Sequence, residues 1–333
     1  MSSQPFSPPE LIDPFLHLKI SPNPDGTITR LRGDPHTSPS SNPNHPIPVL
    51  TKDISINPSH KTTARIFLPR KTLDHTPFHK LPIIIYFHGG GFILFSAASD
   101  FLHDLCINLA NDVNSIVVSV DYRLAPEHRL PAAYDDAMEA LHLIKTQSDD
   151  WLRNYGDYSN CYLMGGSAGA NIAYKAGLLV AAETNLLEHD YLTPVRIRGL
   201  ILSQPFFGST ERVASELRLV NDAVVPPHVC DLMWELSLPI GVDRDHEYCN
   251  PTVGDGLGDL DRVRELGWRV LVTGCDGDPL MDHQMALVRV VEEKGVVVVK
   301  SFTEGGCHGA EVRDLIKQKQ LHDLIKDFIF LQN

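Results

Sequence analysis

The 333-residue sequence has no apolar run long enough to span a bilayer. Its longest runs, such as Ile83-Ile84-Ile85-Tyr86-Phe87, fall far short of the ~20 residues that a membrane helix needs. It has no CxxC pair. The six cysteines, at 106, 161, 230, 249, 275 and 307, are scattered, and a chain of this size needs no disulfide scaffold, so reduced thiols are expected. Basic clusters are also missing: 29 Lys and Arg stand against 42 Asp and Glu, a formal net charge of -13. Nucleic acid and acidic lipid are bound largely through clustered cations that neutralise phosphates, so neither is an expected partner. A neutral or cationic small molecule is the expected ligand. Met1-Ser-Ser-Gln-Pro has no positive region leading into an apolar stretch, so no secretory signal is expected. Pro58 and Pro251 block the glycosylation-like triplets at Asn57 and Asn250. Together these absences predict a cytoplasmic protein, and nothing in the sequence specifies a metal, nucleotide or flavin.

What is present is enough apolar composition, 43%, to bury a large core. Prolines from Pro5 to Pro48 crowd the first fifty residues and exclude a long helix there. Leu11, Ile12, Phe15, Leu16 and Leu18 form an apolar cluster, so this segment reads either as a strap packed over a pocket or as a disordered tail. From about residue 61, short apolar runs alternate with segments of helical period, the pattern of a parallel sheet with helices on both faces. Strands are expected at Arg65 to Leu68, Ile83 to Phe87, Ile116 to Val120, Cys161 to Met164, Leu200 to Ser203, Val270 to Thr273 and Val296 to Lys300. Helices are expected at Asp100 to Asn111, Ala132 to Lys145, Ala168 to Ala182, Met281 to Glu293 and Val312 to Leu331. The strands near 200 and 270 are separated by roughly sixty residues, more than a simple crossover needs, so an insertion is expected between them.

Gly165-Gly166-Ser167-Ala168-Gly169 falls between a predicted strand and a predicted helix. A Gly-x-Ser-x-Gly turn in that position reverses the chain so sharply that only small residues fit, and it pushes the serine hydroxyl above the sheet. By itself the pentapeptide is a modest signal, since such a turn can simply be a tight connection; its context favours a nucleophile. Serine then needs a base. Among 16 histidines, His308 is favoured by its place in the glycine-rich loop Gly305-Gly306-Cys307-His308-Gly309, after the last strand. A metal site from Cys275, Cys307 and His308 is conceivable, but the spacing supplies no ligand pair. The carboxylate that orients the base is assigned to Asp278, in the loop after Val270 to Thr273, with Asp276 and Asp282 as alternatives. The glycines of His88-Gly89-Gly90-Gly91 leave backbone N–H groups free to face a developing oxyanion. Gly90, Gly91 and Ala168 are the expected donors, in a loop that includes His88 and Gly89.

The chain order Ser, Asp, His, together with Tyr86-Phe87-His88-Gly89-Gly90-Gly91-Phe92 and Asp121-Tyr122-Arg123-Leu124-Ala125-Pro126-Glu127-His128-Arg129-Leu130-Pro131, resembles the hormone-sensitive-lipase branch of the α/β-hydrolases, and within it the plant carboxylesterases. The resemblance runs from about Leu50 to the C-terminus. It implies an α/β-hydrolase fold, a mostly parallel central sheet with helices on both faces and a helical cap. The cap would combine the Pro-rich residues 1-50 with an insertion near 208-250, on a single catalytic domain, 51-333. It implies a cofactor-independent carboxylesterase acting on small esters, with Phe206, Phe207, Met233 and Trp234 as pocket lining or, equally, as core contacts. Related proteins serve as lactone-forming acyl transferases, dehydratases or cyclases, and gibberellin receptors of the same group bind without turnover but lack the histidine found here as His308. Many relatives carry an acidic residue before the nucleophile; this chain has Gly166.

Overall fold

The computed structural model describes residues 12–73, 79–184, 192–254 and 256–331. Leu11, one of the residues in the expected N-terminal apolar cluster, lies outside the described residues. The chain begins with α1 (Pro14–Leu18), a hairpin of β1 (Ile20–Pro22) and β2 (Ile28–Arg30), then β3 (Val49–Asn57), β4 (Thr62–Pro69) and β5 (Leu81–Phe87). α2 (Asp100–Val113), β6 (Ile116–Asp121), α3 (Ala132–Lys145), α4 (Asp150–Tyr155), β7 (Gly156–Gly166) and α5 (Ala168–Glu183) follow. β8 (Ile197–Ser203) leads into α6 (Ala214–Arg218), α7 (Pro227–Ser237) and α8 (Gly256–Glu265). β9 (Arg269–Cys275), α9 (Met281–Glu293), β10 (Val297–Thr303), α10 (Ala310–Arg313) and α11 (Leu315–Phe330) complete it.

Eight strands form one sheet in the order β10-β9-β8-β7-β5-β6-β4-β3, parallel from β10 to β6 and antiparallel at β6, β4 and β3. The central strands are apolar throughout because both faces are covered, as parallel sheets require. Alternate residues divide between two cores. Ile83, Ile85 and Phe87 of β5 and Cys161 and Leu163 of β7 face α3, α5 and α8. Ile84 and Tyr86 with Tyr162 and Met164 face α2 and α11.

Every expected strand is present. β3, which was not expected, is the sheet edge; it carries Lys52 and Asp53 and buries chiefly its first three residues, so it lacks the apolar run of its neighbours. The helix expected from Val312 to Leu331 is two helices. Asp314 leaves helical geometry and its carboxylate accepts the N–H groups of Ile316 and Lys317, ending α10 and capping α11. The N-terminal apolar cluster is only partly packed: Leu18 is buried and Phe15 half-buried, whereas Ile12 and Leu16 are exposed. α1 lies against α7, and the His17 ring is hydrogen-bonded to Val224 O at 3.1 Å, which ties the N-terminal segment to the chain between β8 and β9. Among the described residues no helix is long and apolar enough to cross a membrane.

Candidate active site

β7 ends in the glycine-rich pentapeptide, and α5 begins at Ala168. Ser167 joins them with φ 55° and ψ −121°, a region that L-residues rarely occupy and that costs about 1–3 kcal/mol. The packing enforces that conformation. A Cβ on Gly169 would stand 1.9 Å from Phe87 O, and one on Gly165 2.1 Å from Gly169 C, so the helix can approach the sheet this closely only without those side chains. Ser167 N donates to Ser203 O at 2.9 Å, and Phe206 N donates to Ser167 O at 3.0 Å, so the turn is pinned to the end of β8.

The loops after β9 and β10 converge on this serine. His308 Nε2 is 2.8 Å from Ser167 Oγ, and His308 Nδ1 is 2.8 Å from Asp278 Oδ2. Asp278 is completely buried. It also accepts from Leu280 N at 2.9 Å and from Gln284 Nε2 at 2.8 Å, which fix the carboxylate in place. Burial pulls the His308 pKa down, but the Asp278 charge and hydrogen bond outweigh it and leave the imidazole more basic than an ordinary histidine. The two alternative aspartates have other tasks. Asp276 Oδ1 accepts Gly305 N at 2.6 Å within the β9–β10 loops, and Asp282 Oδ2 accepts Ser215 N at 2.8 Å, anchoring α6.

Gly89, Gly90 and Gly91 line the cavity that opens at Ser167. Gly90 and Gly91 have φ of 115° and 60°, and a Cβ on Gly91 would meet Met233 Sδ at 2.3 Å, so the insertion rests directly on this loop. Ala168 is the first residue of α5, so its N–H belongs to the helical turn that has no intrahelical acceptor and faces developing negative charge favourably. His88 differs from its neighbours. Its ring is fully buried and stacked on Tyr122, with centroids 4.3 Å apart, while Tyr122 Oη donates to His88 O at 2.8 Å. The side chain braces the loop from behind and does not line the cavity.

Of the four expected lining residues, Phe206 and Met233 line the cavity. Phe207 and Trp234 do not. Phe207 packs edge-on against Tyr174, and Trp234 stacks on Phe206 with centroids 4.6 Å apart, so both are core contacts. Arg123 and Glu127 brace the loop after β6: Arg123 Nε donates to Asp136 Oδ1 at 2.9 Å, and Glu127 pairs with Arg30 at 2.8 Å. Asp136 also comes within chelating distance of His60 and Glu139. Its carboxylate is already committed to Arg123, whose Nη2 lies at 2.7 Å, and Glu139 accepts from Asn57 Nδ2, so this cluster is an ion-pair knot.

Gln204 was not visible from motifs. It follows β8 with φ 45°, is buried, and reaches both sides of the candidate base. Gly309 N donates to its Oε1 at 2.6 Å, and its Nε2 donates to Cys307 O at 3.2 Å. The only available signal is position: a polar side chain just past the C-terminal end of a parallel strand, where ligands of open α/β sheets bind. Two bonds worth about 1 kcal/mol each hold the His308 backbone. Gln204→Ala is therefore expected to lower kcat about tenfold or more while the circular dichroism spectrum stays unchanged.

A doubly covered sheet carrying a strained serine elbow, with acid and base loops at the ends of successive strands, defines the α/β-hydrolase class. Residues 84–312 match the family model described as alpha/beta hydrolase fold. The chain is 49% identical over 326 residues to "Carboxylesterase 20" of Arabidopsis thaliana, covering 97% of this chain and 98% of that one. It is 46% identical over 328 residues to a 3-O-acetylpapaveroxine carboxylesterase of Papaver somniferum, covering 96% and 98%. A 2-hydroxyisoflavanone dehydratase of Glycyrrhiza echinata is 36% identical, with 81% and 80% covered. An esterase of Pyrobaculum calidifontis, 24% identical, superposes with a TM-score of 0.70 over 87% of each chain and shares the fold. The protein belongs to the α/β-hydrolase family, among its plant carboxylesterases.

Proposed function

We propose that the protein hydrolyses small carboxylic esters through an acyl-enzyme at Ser167. One observation carries the reading: Ser167 Oγ, His308 and Asp278 form an unbroken chain of hydrogen bonds, 2.8 Å at each link, opening into a cavity of about 500 Å³. In this mechanism His308 Nε2 takes the hydroxyl proton as Ser167 Oγ adds to the ester carbonyl. The resulting oxyanion is held by N–H groups of the Gly89 to Gly91 loop and of Ala168; loss of one such donor typically costs on the order of 3 kcal/mol. His308 then protonates the departing alcohol. Water, activated by the same nitrogen, releases the acid and restores Ser167. α1 and the insertion with α6 and α7 serve as the cap, a role supported by the His17 bond to Val224 and by the seat of Met233 on Gly91.

The unpaired state of all six cysteines supports a reducing, cytoplasmic setting. The name of the Papaver relative speaks of an acetyl ester, which supports a small acyl group as one substrate class here. The name of the Glycyrrhiza relative speaks of dehydration, a reaction for which His308 could act as base without any acyl-enzyme. The deciding experiment is incubation of the purified protein with p-nitrophenyl acetate and with acetates of natural alcohols, with identification of the products. Stoichiometric release of acid and alcohol supports the reading, and the absence of ester turnover overturns it.

A further inference from the structure

Alternation along β7 places Gly166 on the same face as Tyr162 and Met164, the face covered by α2 and α11. The cavity at Ser167 does not stop at the elbow on this side. A Cβ built on Gly166 would meet nothing closer than Tyr86 Oη, at 3.7 Å, so the residue before the nucleophile leaves a gap where any other residue would place a side chain. Beyond the gap the same cavity runs between the sheet and α2, lined by Tyr86, Met164, Leu102, Leu105, Leu109 and Leu321. Val224, Val225 and Met233, from the segment between β8 and β9, line the cavity as well. The cavity at Ser167 is therefore lined both from α2 and from the segment between β8 and β9, with His17, Arg32, Glu311, Arg313 and His322 also on its wall.

We propose that Gly166 is a specificity gate, and that one uncharged hydrocarbon arm of the ester passes beneath the elbow into the chamber between β5, β7 and α2. The proposal rests on the esterase reading and names the substrate class: esters with a long or bulky apolar arm. Leu102, Leu105 and Leu109 lie on successive turns of α2 and span about 10 Å of the chamber wall. Burial keeps the Tyr86 phenol protonated, so the hydroxyl nearest the gap adds no charge to the passage. Glu311, which accepts from Ser203 Oγ at 3.1 Å, lines the cavity together with Arg32 and Arg313, so both signs of charge stand on its wall.

The test uses two series: p-nitrophenyl acetate, butyrate and octanoate for the acyl arm, and ethyl, butyl and octyl acetate for the alcohol arm. The variants Gly166→Val, which fills the gate, and Leu105→Trp, which fills the chamber from the opposite wall, are assayed beside the wild type after their folds are checked by circular dichroism. In the wild type, kcat/KM is expected to rise at least tenfold with length in one series, and that series identifies which arm enters. In both variants the long-to-short ratio for that series is expected to fall at least tenfold. A wild-type enzyme that turns over acetate but gains nothing with length in either series overturns the chamber, as does a ratio unchanged in a folded variant. A wild type that hydrolyses no ester of either series refutes the esterase reading, and the chamber assignment falls with it.

Discussion

Ser167→Ala is expected to lower kcat for p-nitrophenyl acetate by on the order of 10⁶, the cost of losing the nucleophile from a Ser-His-Asp unit. The fold should survive. Alanine keeps the Cβ and loses only Oγ, and the strained φ of 55° is imposed by backbone bonds from Ser167 N to Ser203 O and from Phe206 N to Ser167 O, which the variant retains. The expected remainder is the 10³–10⁴-fold advantage over water that an oxyanion loop and substrate binding supply on their own. Steady-state turnover, with pre-steady-state release of p-nitrophenol to detect the acyl-enzyme burst, measures both. The variant also separates reaction classes. An elimination that uses His308 only as a base would continue in Ser167→Ala, whereas hydrolysis or acyl transfer through Ser167 would not. Retention of wild-type ester turnover would show that Ser167 is not the nucleophile.

The features that were legible in the sequence are those in which packing leaves one residue type no alternative. Gly165 and Gly169 are dictated by backbone atoms about 2 Å from where their side chains would be, so the elbow announces itself as a motif. The central strands are apolar on both faces and read as runs; β3, at the sheet edge, buries only its first three residues and does not. Which side of an element a residue faces was harder to read. Met233 and Trp234 are consecutive on α7, where consecutive residues point in different directions, and Phe206 and Phe207 are consecutive in the irregular segment after β8. In each pair one residue lines the cavity and the other packs in the core, a distinction that depends on the register of the segment. Gln204 and Gln284 belong to no motif, since a glutamine has no periodicity or spacing rule, and Gln204 has only its position past a strand end as a signal. Their importance comes from a loop that only the folded chain brings within reach.

Asp278→Asn is expected to cost about 10⁴ in kcat, with the acid limb of the pH profile moving in a direction that identifies the cause. Asparagine would fill the buried site, but its amide can present N–H where the carboxylate accepts from His308 Nδ1 at 2.8 Å. That favours the tautomer with Nδ1 unprotonated, and Nε2 would then carry a proton and be unable to accept one from Ser167. The sign of the pH effect follows from the balance at His308. Burial lowers its pKa, the Asp278 charge and hydrogen bond raise it by more, and the wild-type base is therefore protonated below a pH that lies above 6.5. Since only the neutral imidazole can accept the serine proton, the acid limb of kcat/KM should lie above that value. Removing the carboxylate charge leaves burial dominant, so the limb of the residual activity should shift to lower pH. Asp276→Asn and Asp282→Asn remove charges whose partners are Gly305 N and Ser215 N, and neither should move the limb toward acid. If Asp276→Asn or Asp282→Asn gave the 10⁴-fold loss instead, the carboxylate would be misassigned. If Asp278→Asn lost activity with its acid limb unmoved, Asp278 would orient the imidazole without setting its basicity.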